Sequence, residues 1–414
     1  MVTVLPRPEA PAAPFSSSTR SGRYVPIMRK WVRLSIVLGV GMALVTAVPG
    51  SARTRPSVSM LPDGDTPPIV TSARLLDPQR HNALLQADLE VEATDNDGVA
   101  RYEYRWNSAT YGSIQAAGVD APTVDYSGTT PESRYALEVR AVDVHANASE
   151  WFPVWSGVTP SVPKVIVAGD SIASGYSRKW FTADATCRDN RLSYGTGVAA
   201  GVAAGVPSAW TPEYVNIAWA GAGINSMLNG GSDSCGVSHE AQVTQIQGLV
   251  DESSWSIVTI TAGINSTNWT DVIVELTKDT AISLTDNGDK KACDLALHTS
   301  WNIDERTPSI KEGARKIANL LASTTNASLL WTGYYDITGT ELAPLWVPIG
   351  DECSDEMSEA MGVLHLALRA GLTSDVTWVD IDGDITTQSW AGWPHPNAAG
   401  HTLIANSVLE ALRQ

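Results

Sequence analysis

The sequence has little positive charge, and its N-terminal segment is basic whereas the remainder is acidic. In 414 residues, 28 Lys and Arg stand against 45 Asp and Glu, which gives a formal net charge of −17. Residues 1–52 hold six of the basic residues and a single acid, Glu9. A protein that binds nucleic acid needs clustered Lys and Arg to neutralise phosphates. No such cluster follows residue 52, so the sequence excludes nucleic acid as a partner.

The sequence also lacks the residue spacings that hold metals and phosphates. Its His and Cys residues form neither a CxxC pair nor an HExxH motif, which are ligand patterns of many zinc sites. The glycines Gly195, Gly197, Gly201 and Gly205 are not followed by the Lys that a phosphate-binding P-loop requires. We therefore expect no metal and no cofactor.

A short apolar run near the N-terminus is typical of a secretory signal. Leu34 to Val48 carry no charge and follow the basic segment from Met28 to Arg33. A helix of this length spans about 22 Å, less than the ~30 Å hydrocarbon core. Small residues then precede a cleavage position after Ala52. We expect residues 1–52 to be a leader, Met28 to be the true start and the protein to be secreted. A permanent membrane anchor is the alternative.

The cysteines that follow the leader favour disulfides. An even number of cysteines in an exported protein is typical of disulfide pairing, and four allow three connectivities. Sequential pairing, which joins the first to the second and the third to the fourth, is the preferred prediction, and free thiols are the alternative. These cysteines are Cys187, Cys235, Cys293 and Cys353.

The length predicts two folded domains behind a polar linker over residues 53–66. Residues 67–160 contain short alternating runs separated by turn residues, and no long helical pattern, which predicts a small β-sandwich. We expect Trp106 and Tyr111 in its core rather than on a surface that stacks sugars.

Residues 163–414 have the pattern of an α/β domain. Short apolar runs suit strands buried on both faces, and helical patterns lie between them. One such helix buries Ile310, Ala314, Ile317 and Leu321, and Asn397 can cap another. Strands that alternate with helices predict a parallel sheet with helices on both faces. In that architecture the chemistry lies beyond the carboxyl ends of the strands.

The residues at the end of the first domain form a pattern that resembles a known module. Tyr135, Leu137, Val139 and Ala141 alternate along one face, and Asn147-x-Ser149-x-Trp151 follows. This pattern resembles the last strands of a fibronectin type III module. The resemblance implies a fibronectin III/Ig-like sandwich that serves as a spacer or docks on cell wall or polysaccharide.

The strongest motif for chemistry is Gly169-Asp170-Ser171, directly after an apolar run. A serine between a buried strand and a helix presents its hydroxyl where the helix N-terminus favours negative charge. That position suits a nucleophile whose tetrahedral product carries an oxyanion. Taken alone, the motif also fits a turn serine that caps a helix.

Three further short motifs follow in order along the sequence. They contain Gly221, Asn265 and His395, and the histidine stands between two prolines before the last helix. With Ser171, this ordered set resembles the SGNH hydrolases, also called the GDSL esterase and lipase family. The resemblance implies a flavodoxin-like three-layer α/β/α domain that needs no cofactor.

The same resemblance implies a role for each residue. Ser171 would be the nucleophile and His395 the general base. The N–H groups of Ser171 and Gly221 and the side-chain amide of Asn265 would form the oxyanion hole. Thr186-Cys187-Arg188 with Ser193-Tyr194 resembles secreted actinobacterial esterases of this superfamily, and disulfides fit that branch.

The sequence departs from the family pattern at two positions. The family usually has an Asp three residues before the histidine, to orient the imidazole, and here Gly392 stands there. The backbone carbonyl of Gly392 is the preferred acceptor for Nδ1–H, and the alternatives are Asp380, Asp382 and Asp384. Ser266 stands where the family often has another Asp; that Asp is usually structural, so we expect its loss to be minor.

We therefore expect a secreted, monomeric serine esterase or lipase that hydrolyses carboxylic esters through an acyl-enzyme. Deacetylation of a polysaccharide is the close alternative, favoured by the sandwich and by the 15 tryptophans. A non-catalytic protein that binds a surface is the third hypothesis, motivated by the missing Asp at position 392.

Overall fold

A computed structural model gives the architecture of the chain. It describes residues 66–77, 85–107, 112–117, 122–176, 191–250, 255–269, 303–323, 327–335, 351–381, 390–392 and 395–413. The chain divides into two compact units, Met1–Met60 and Leu61–Gln414. The first unit lies outside the described residues, so the signal peptide and the start at Met28 stay predictions. Within the described ranges, no helix has the length and apolar character needed to cross a bilayer.

The described chain begins with a β-rich region. Its strands are β1 (Ile69–Leu75), β2 (Gln86–Thr94), β3 (Val99–Asn107), β4 (Gly112–Ala117), β5 (Thr123–Asp125), β6 (Arg134–Asp143) and β7 (Phe152–Val158). They form two antiparallel sheets with the orders β1-β2-β5 and β4-β3-β6-β7.

Alternation along the strands builds the core of this region. Leu137, Val139 and Ala141 of β6 are buried, because successive side chains of a strand point to opposite faces. Trp106 of β3 is also buried and donates its Nε1–H to the Asp125 carbonyl at 2.9 Å. The prediction that Trp106 is a core residue is confirmed, and Tyr111 lies outside the described residues.

The second part of the fold is a five-stranded parallel sheet flanked by helices, which confirms the predicted α/β class. Its strands are β8 (Lys164–Gly169), β9 (Glu213–Asn216), β12 (Ser256–Thr261), β13 (Ala327–Thr332) and β14 (Val376–Val379). The order is β14-β13-β12-β8-β9, and every neighbouring pair is parallel. All of β12 is buried, as expected for a central strand covered on both faces.

The helices pack in two groups. They are α1 (Ser171–Ser174), α2 (Tyr194–Gly205), α3 (Ile224–Asn229), α4 (Gln242–Leu249), α5 (Ile303–Ala322), α6 (Asp351–Gly371) and α7 (Ala398–Ala411). Helix α2 contacts α7, whereas α5 contacts α3, α4 and α6. The predicted face of α5 is buried, and the helix begins before the periodic segment and passes through Pro308.

Two short antiparallel hairpins complete the fold beside the sheet. One joins β10 (Gly231–Ser232) to β11 (Ser238–His239), and the other joins β15 (Trp390–Gly392) to β16 (His395–Pro396). Both lie in segments that follow the carboxyl end of a parallel strand.

One tryptophan connects the α/β part of the chain to the β-rich region. Trp210 ends the short 3-10 turn Ser208–Trp210 that precedes β9, yet its side chain is buried in the core of the β-rich region. Its Nε1–H donates to the Thr129 carbonyl at 3.0 Å, and its ring centroid lies 6.0 Å from that of Tyr126. The predicted domain boundary falls between β7 and β8, close to this contact.

Candidate active site

Backbone geometry fixes Ser171 at the carboxyl end of the sheet. Gly169 ends β8 with φ +124°, and a Cβ at that position would lie 2.0 Å from the Thr261 carbonyl oxygen. Asp170 N–H donates to the same oxygen at 2.8 Å. Only glycine fits so close an approach of two strands. Asp170 then caps α1 by accepting a hydrogen bond from Ile172 N–H at 3.0 Å.

A buried glutamine holds the same turn from a helix. Gln242 of α4 accepts from Gly169 N–H at 2.5 Å and donates to the Gly169 carbonyl at 2.8 Å. Its side chain therefore satisfies both backbone groups of the residue that ends β8. Sequence analysis missed Gln242, and its only local signal is an amide on the apolar face of a helix.

Asp170, beside the serine, is fully buried and accepts a hydrogen bond from the Tyr334 hydroxyl at 2.7 Å. Burial raises the pKa of the Asp170 carboxyl to about 7, against the effect of the hydrogen bonds from Tyr334 and Ile172 N–H. The Tyr334 oxygen also accepts from Ile264 N–H at 3.1 Å. Tyr334 therefore connects the Ser171 turn to the turn that carries Asn265.

His395 lies within hydrogen-bond distance of the serine. The distance between His395 Nε2 and Ser171 Oγ is 2.9 Å. Asn397 caps α7 directly after the histidine, accepting from Ala399 N–H at 2.9 Å, and thereby confirms the predicted cap. The Tyr176 ring packs edge-on against the imidazole, with centroids 4.9 Å apart. Burial lowers the pKa of His395 to about 4, so the imidazole is neutral at pH 7.

The other ring nitrogen, His395 Nδ1, is buried and has no hydrogen-bond partner in the part of the chain described. The expected bond to the Gly392 carbonyl is therefore not formed. Gly392 pairs with His395 in the β15–β16 ladder, where carbonyls lie in the plane of the ladder and side chains project from it. Asp380 is exposed and does not bond to this nitrogen, and Asp382 and Asp384 lie outside the described residues.

Gly221 and Asn265 lie in loops that contact each other. Gly221 follows β9 with φ +91°. Asn265 lies in the 3-10 turn after β12, and its Nδ2 donates to the Ala222 carbonyl at 3.1 Å. Both residues line one cleft of about 470 Å³. The structure thus brings together the two residues expected to supply oxyanion donors.

Ser266 has a structural role beside them. Its Oγ accepts a hydrogen bond from Ile224 N–H at 2.9 Å, which ties the Asn265 turn to the start of α3. A Cβ on Gly223 would lie 2.8 Å from this hydroxyl oxygen. The small serine side chain thus fits a tight contact between the two loops.

The β10–β11 hairpin supports the Gly221 loop. Ser234 N–H and Oγ donate to the Ala220 carbonyl at 3.0 and 3.2 Å. Its neighbour Cys235 is disulfide-bonded. Cys187, Cys293 and the side chain of Cys353 lie outside the described residues, so the connectivity of the four cysteines stays a prediction.

A second histidine is buried next to the site. His401 of α7 is 4% exposed, and burial together with the nearby His395 lowers its pKa to about 3. Both histidines are therefore neutral at pH 7, and His401 is a buried residue of α7. Among the described residues, no cluster of three metal-ligating side chains occurs.

Comparison with known proteins identifies the family to which the chain belongs. The sequence model of the GDSL-like lipase/acylhydrolase family matches residues 165–408. No curated protein matches the chain.

Two solved structures are similar in part. The sixth fibronectin type III domain of human fibronectin type III domain containing protein 3 is 26% identical, covering 25% of this chain and 92% of that one, with a TM-score of 0.16. A 2,6-sialyltransferase of Vibrionaceae Photobacterium sp. JT-ISH-224 is 9% identical, covering 72% of this chain and 52% of that one, with a TM-score of 0.19. At such TM-scores neither likeness bears on fold or function.

Proposed function

Since the chain belongs to the GDSL-like lipase/acylhydrolase family, we propose that it is a secreted, monomeric serine hydrolase that cleaves carboxylic esters through Ser171 and His395. The observation that carries this proposal is the 2.9 Å distance between His395 Nε2 and Ser171 Oγ. A neutral imidazole at hydrogen-bond distance from a serine hydroxyl is the arrangement in which a general base activates a nucleophile.

The reaction follows from these two groups. His395 Nε2 takes the hydroxyl proton as Ser171 Oγ bonds to the ester carbonyl carbon, and the carbonyl oxygen becomes an oxyanion. The imidazolium then gives the proton to the leaving alcohol, and an acyl-enzyme remains. Water, deprotonated by His395, attacks the acyl carbon and releases the acid and Ser171.

We assign the oxyanion hole to Ser171 N–H, Gly221 N–H and the Asn265 amide. An amide has two N–H donors, and the Asn265 amide uses one on the Ala222 carbonyl. The second is left for the substrate oxygen. Donors held in place before the reaction stabilise the developing charge without reorganising.

We propose that Asp382 or Asp384 accepts the Nδ1–H of His395. Both follow β14, a strand of the parallel sheet, and residues after such strands meet at the edge that carries Ser171. A carboxylate there would stabilise the imidazolium that forms during the reaction. Asp380 is exposed and makes no such bond, so it is the natural control position.

Lipid and simple acyl esters are the first substrate class for this site. Acylated carbohydrates are the second candidate, and the polar lining of the cleft beside Asn265 favours them, since Asn225, Ser226 and Ser309 face it. In that case the β-rich region would dock the protein on a polysaccharide or cell wall.

Hydrolysis of p-nitrophenyl acetate, butyrate and palmitate tests the proposal. We expect turnover that disappears in Ser171→Ala, and the profile across the three chain lengths separates a deacetylase from a lipase. Unchanged turnover in Ser171→Ala would contradict the assignment of the nucleophile. No turnover on any of the three esters would favour an acylated polysaccharide as the substrate, and failure of a fluorophosphonate probe to label Ser171 as well would favour the non-catalytic surface-binding protein.

A further inference from the structure

The cleft beside the candidate oxyanion donors is enclosed by four segments of the chain. It lies between the Gly221 loop, helix α3, the Asn265 turn and one face of α5. At about 470 Å³ it has the size of a small-molecule site. Because Gly221 and Asn265 line it, one substituent of an ester held at Ser171 would extend into it.

Close packing keeps the walls of the cleft in place. A Cβ on Gly313 of α5 would lie 2.2 Å from Ile224 Cγ2, so the two helices approach as closely as a missing side chain permits. Arg306 of α5 donates its Nη1–H to the Ser266 carbonyl at 3.3 Å. That contact holds the half-buried guanidinium beside the Asn265 turn.

The charges in the cleft contrast with those of the whole protein. Arg306 and Lys316 of α5 both line it, together with one acid, Glu312. Glu312 is paired with Arg315, so its charge is already partly balanced. The local positive charge of Arg306 and Lys316 would attract an anion to this place although the protein as a whole has a net charge of −17, since charge of one sign in a concave site concentrates ligands of the other sign.

We propose that this cleft binds a carboxylate-bearing part of the substrate, so that the enzyme prefers esters of acidic molecules to neutral ones. The inference rests on the proposed ester hydrolysis and names the substrate class of that site. Arg306 supplies the planar donors that match a carboxylate, and Lys316 adds a second positive charge. The cleft is lined by few apolar side chains, Ile224, Leu228 and Ile310, so it offers a long acyl chain little apolar surface.

Matched ester pairs test the preference. The mono-p-nitrophenyl ester of adipic acid and p-nitrophenyl hexanoate differ by a charge on the acyl side, and acetylated glucuronic acid and acetylated glucose differ by a charge on the alcohol side. We expect kcat/KM to favour the charged member of one pair about tenfold at pH 7.5 and low salt, mainly through KM. Equal values within both pairs would overturn the inference, while the hydrolysis itself would still support the proposed function.

Substitutions assign the preference to the cleft. Arg306→Gln and Lys316→Gln should each lower the ratio of charged to neutral kcat/KM by about three- to tenfold, and Glu312→Gln should raise it. If Arg306→Gln disturbs the Asn265 turn, Lys316→Gln still tests the inference, because Lys316 is exposed and its substitution leaves that turn in place. The matched control is Lys311→Gln, an exposed cation of the same helix outside the cleft, which should leave the ratio unchanged. If neither Arg306→Gln nor Lys316→Gln changes the ratio of charged to neutral kcat/KM, the inference is contradicted.

A binding measurement separates this inference from catalysis. In the Ser171→Ala variant, calorimetric titration of both matched pairs should give, within one pair, a Kd for the charged ester several-fold lower than for the neutral ester. Adding Lys316→Gln, or raising NaCl from 50 to 500 mM, should remove most of that difference, because salt screens exposed charges. Equal Kd values within both pairs would overturn the inference whether or not the enzyme turns over any of the esters.

Discussion

Replacing Asn265 with alanine separates stabilisation of the oxyanion from substrate binding. The Asn265 amide spends one N–H on the Ala222 carbonyl at 3.1 Å and leaves the second for the ester oxygen. Loss of one oxyanion donor typically costs about 2.7–4 kcal/mol of barrier, or 10²–10³ in kcat. The lost bond to Ala222 costs about 1 kcal/mol of stability, which lowers the Tm by a few degrees and leaves the fold intact.

Steady-state kinetics on p-nitrophenyl butyrate measure the effect. We expect kcat of Asn265→Ala to fall by about 10²–10³ and KM to change little, because the donor acts on a charge that exists only in the transition state. The control is Asn268→Gly in the next turn, since Asn268 is exposed with φ +56°, which glycine adopts freely. A loss in kcat below tenfold, or one that falls mainly on KM, would refute the role given to Asn265.

Three further predictions concern the base, the nucleophile turn and the connection to the β-rich region. Burial lowers the pKa of His395 to about 4, whereas a carboxylate on Nδ1–H would raise it, so the acid limb of kcat/KM should lie below 6.5 and move to lower pH when Asp382→Asn or Asp384→Asn removes that carboxylate; an acid limb at or above 6.5 that neither substitution moves would contradict this. Gly169→Ala places a Cβ 2.0 Å from a carbonyl oxygen and should lower the urea unfolding free energy by about 3 kcal/mol or more, whereas Gly248→Ala, with open space around it, should change it by about 1 kcal/mol or less. Trp210→Ala should destabilise by about 3–5 kcal/mol in the same assay, and a loss below about 1 kcal/mol would show that the Trp210 contact does not stabilise the fold.

Local sequence patterns predicted the strands, the helix face and the helix cap whose positions depend on neighbouring residues. Apolar runs located the strands of the parallel sheet, and the spacing of Ile310, Ala314, Ile317 and Leu321 located the buried face of α5. These features depend on periodicity alone. The cap at Asn397 was predictable for the same reason, because a cap is read from one residue and the two that follow it.

Contacts between distant segments could not be predicted in this way. Gln242 holds Gly169 across 73 residues, and Tyr334 reaches Asp170 across 164. No periodicity in either segment points to its partner. The expectation for the Gly392 carbonyl failed for a related reason, since the three-residue spacing from His395 does not reveal that both residues belong to one β-ladder.

Covalent labelling tests the central claim, that Ser171 is a nucleophile activated by His395, most directly. The protein would be treated with a fluorophosphonate probe, and the modified residue would be identified by mass spectrometry. The account predicts one adduct on Ser171 Oγ, with labelling that slows by orders of magnitude in His395→Ala and is absent in Ser171→Ala. An unlabelled Ser171 in the folded protein, or a labelling rate that does not change in His395→Ala, would contradict it.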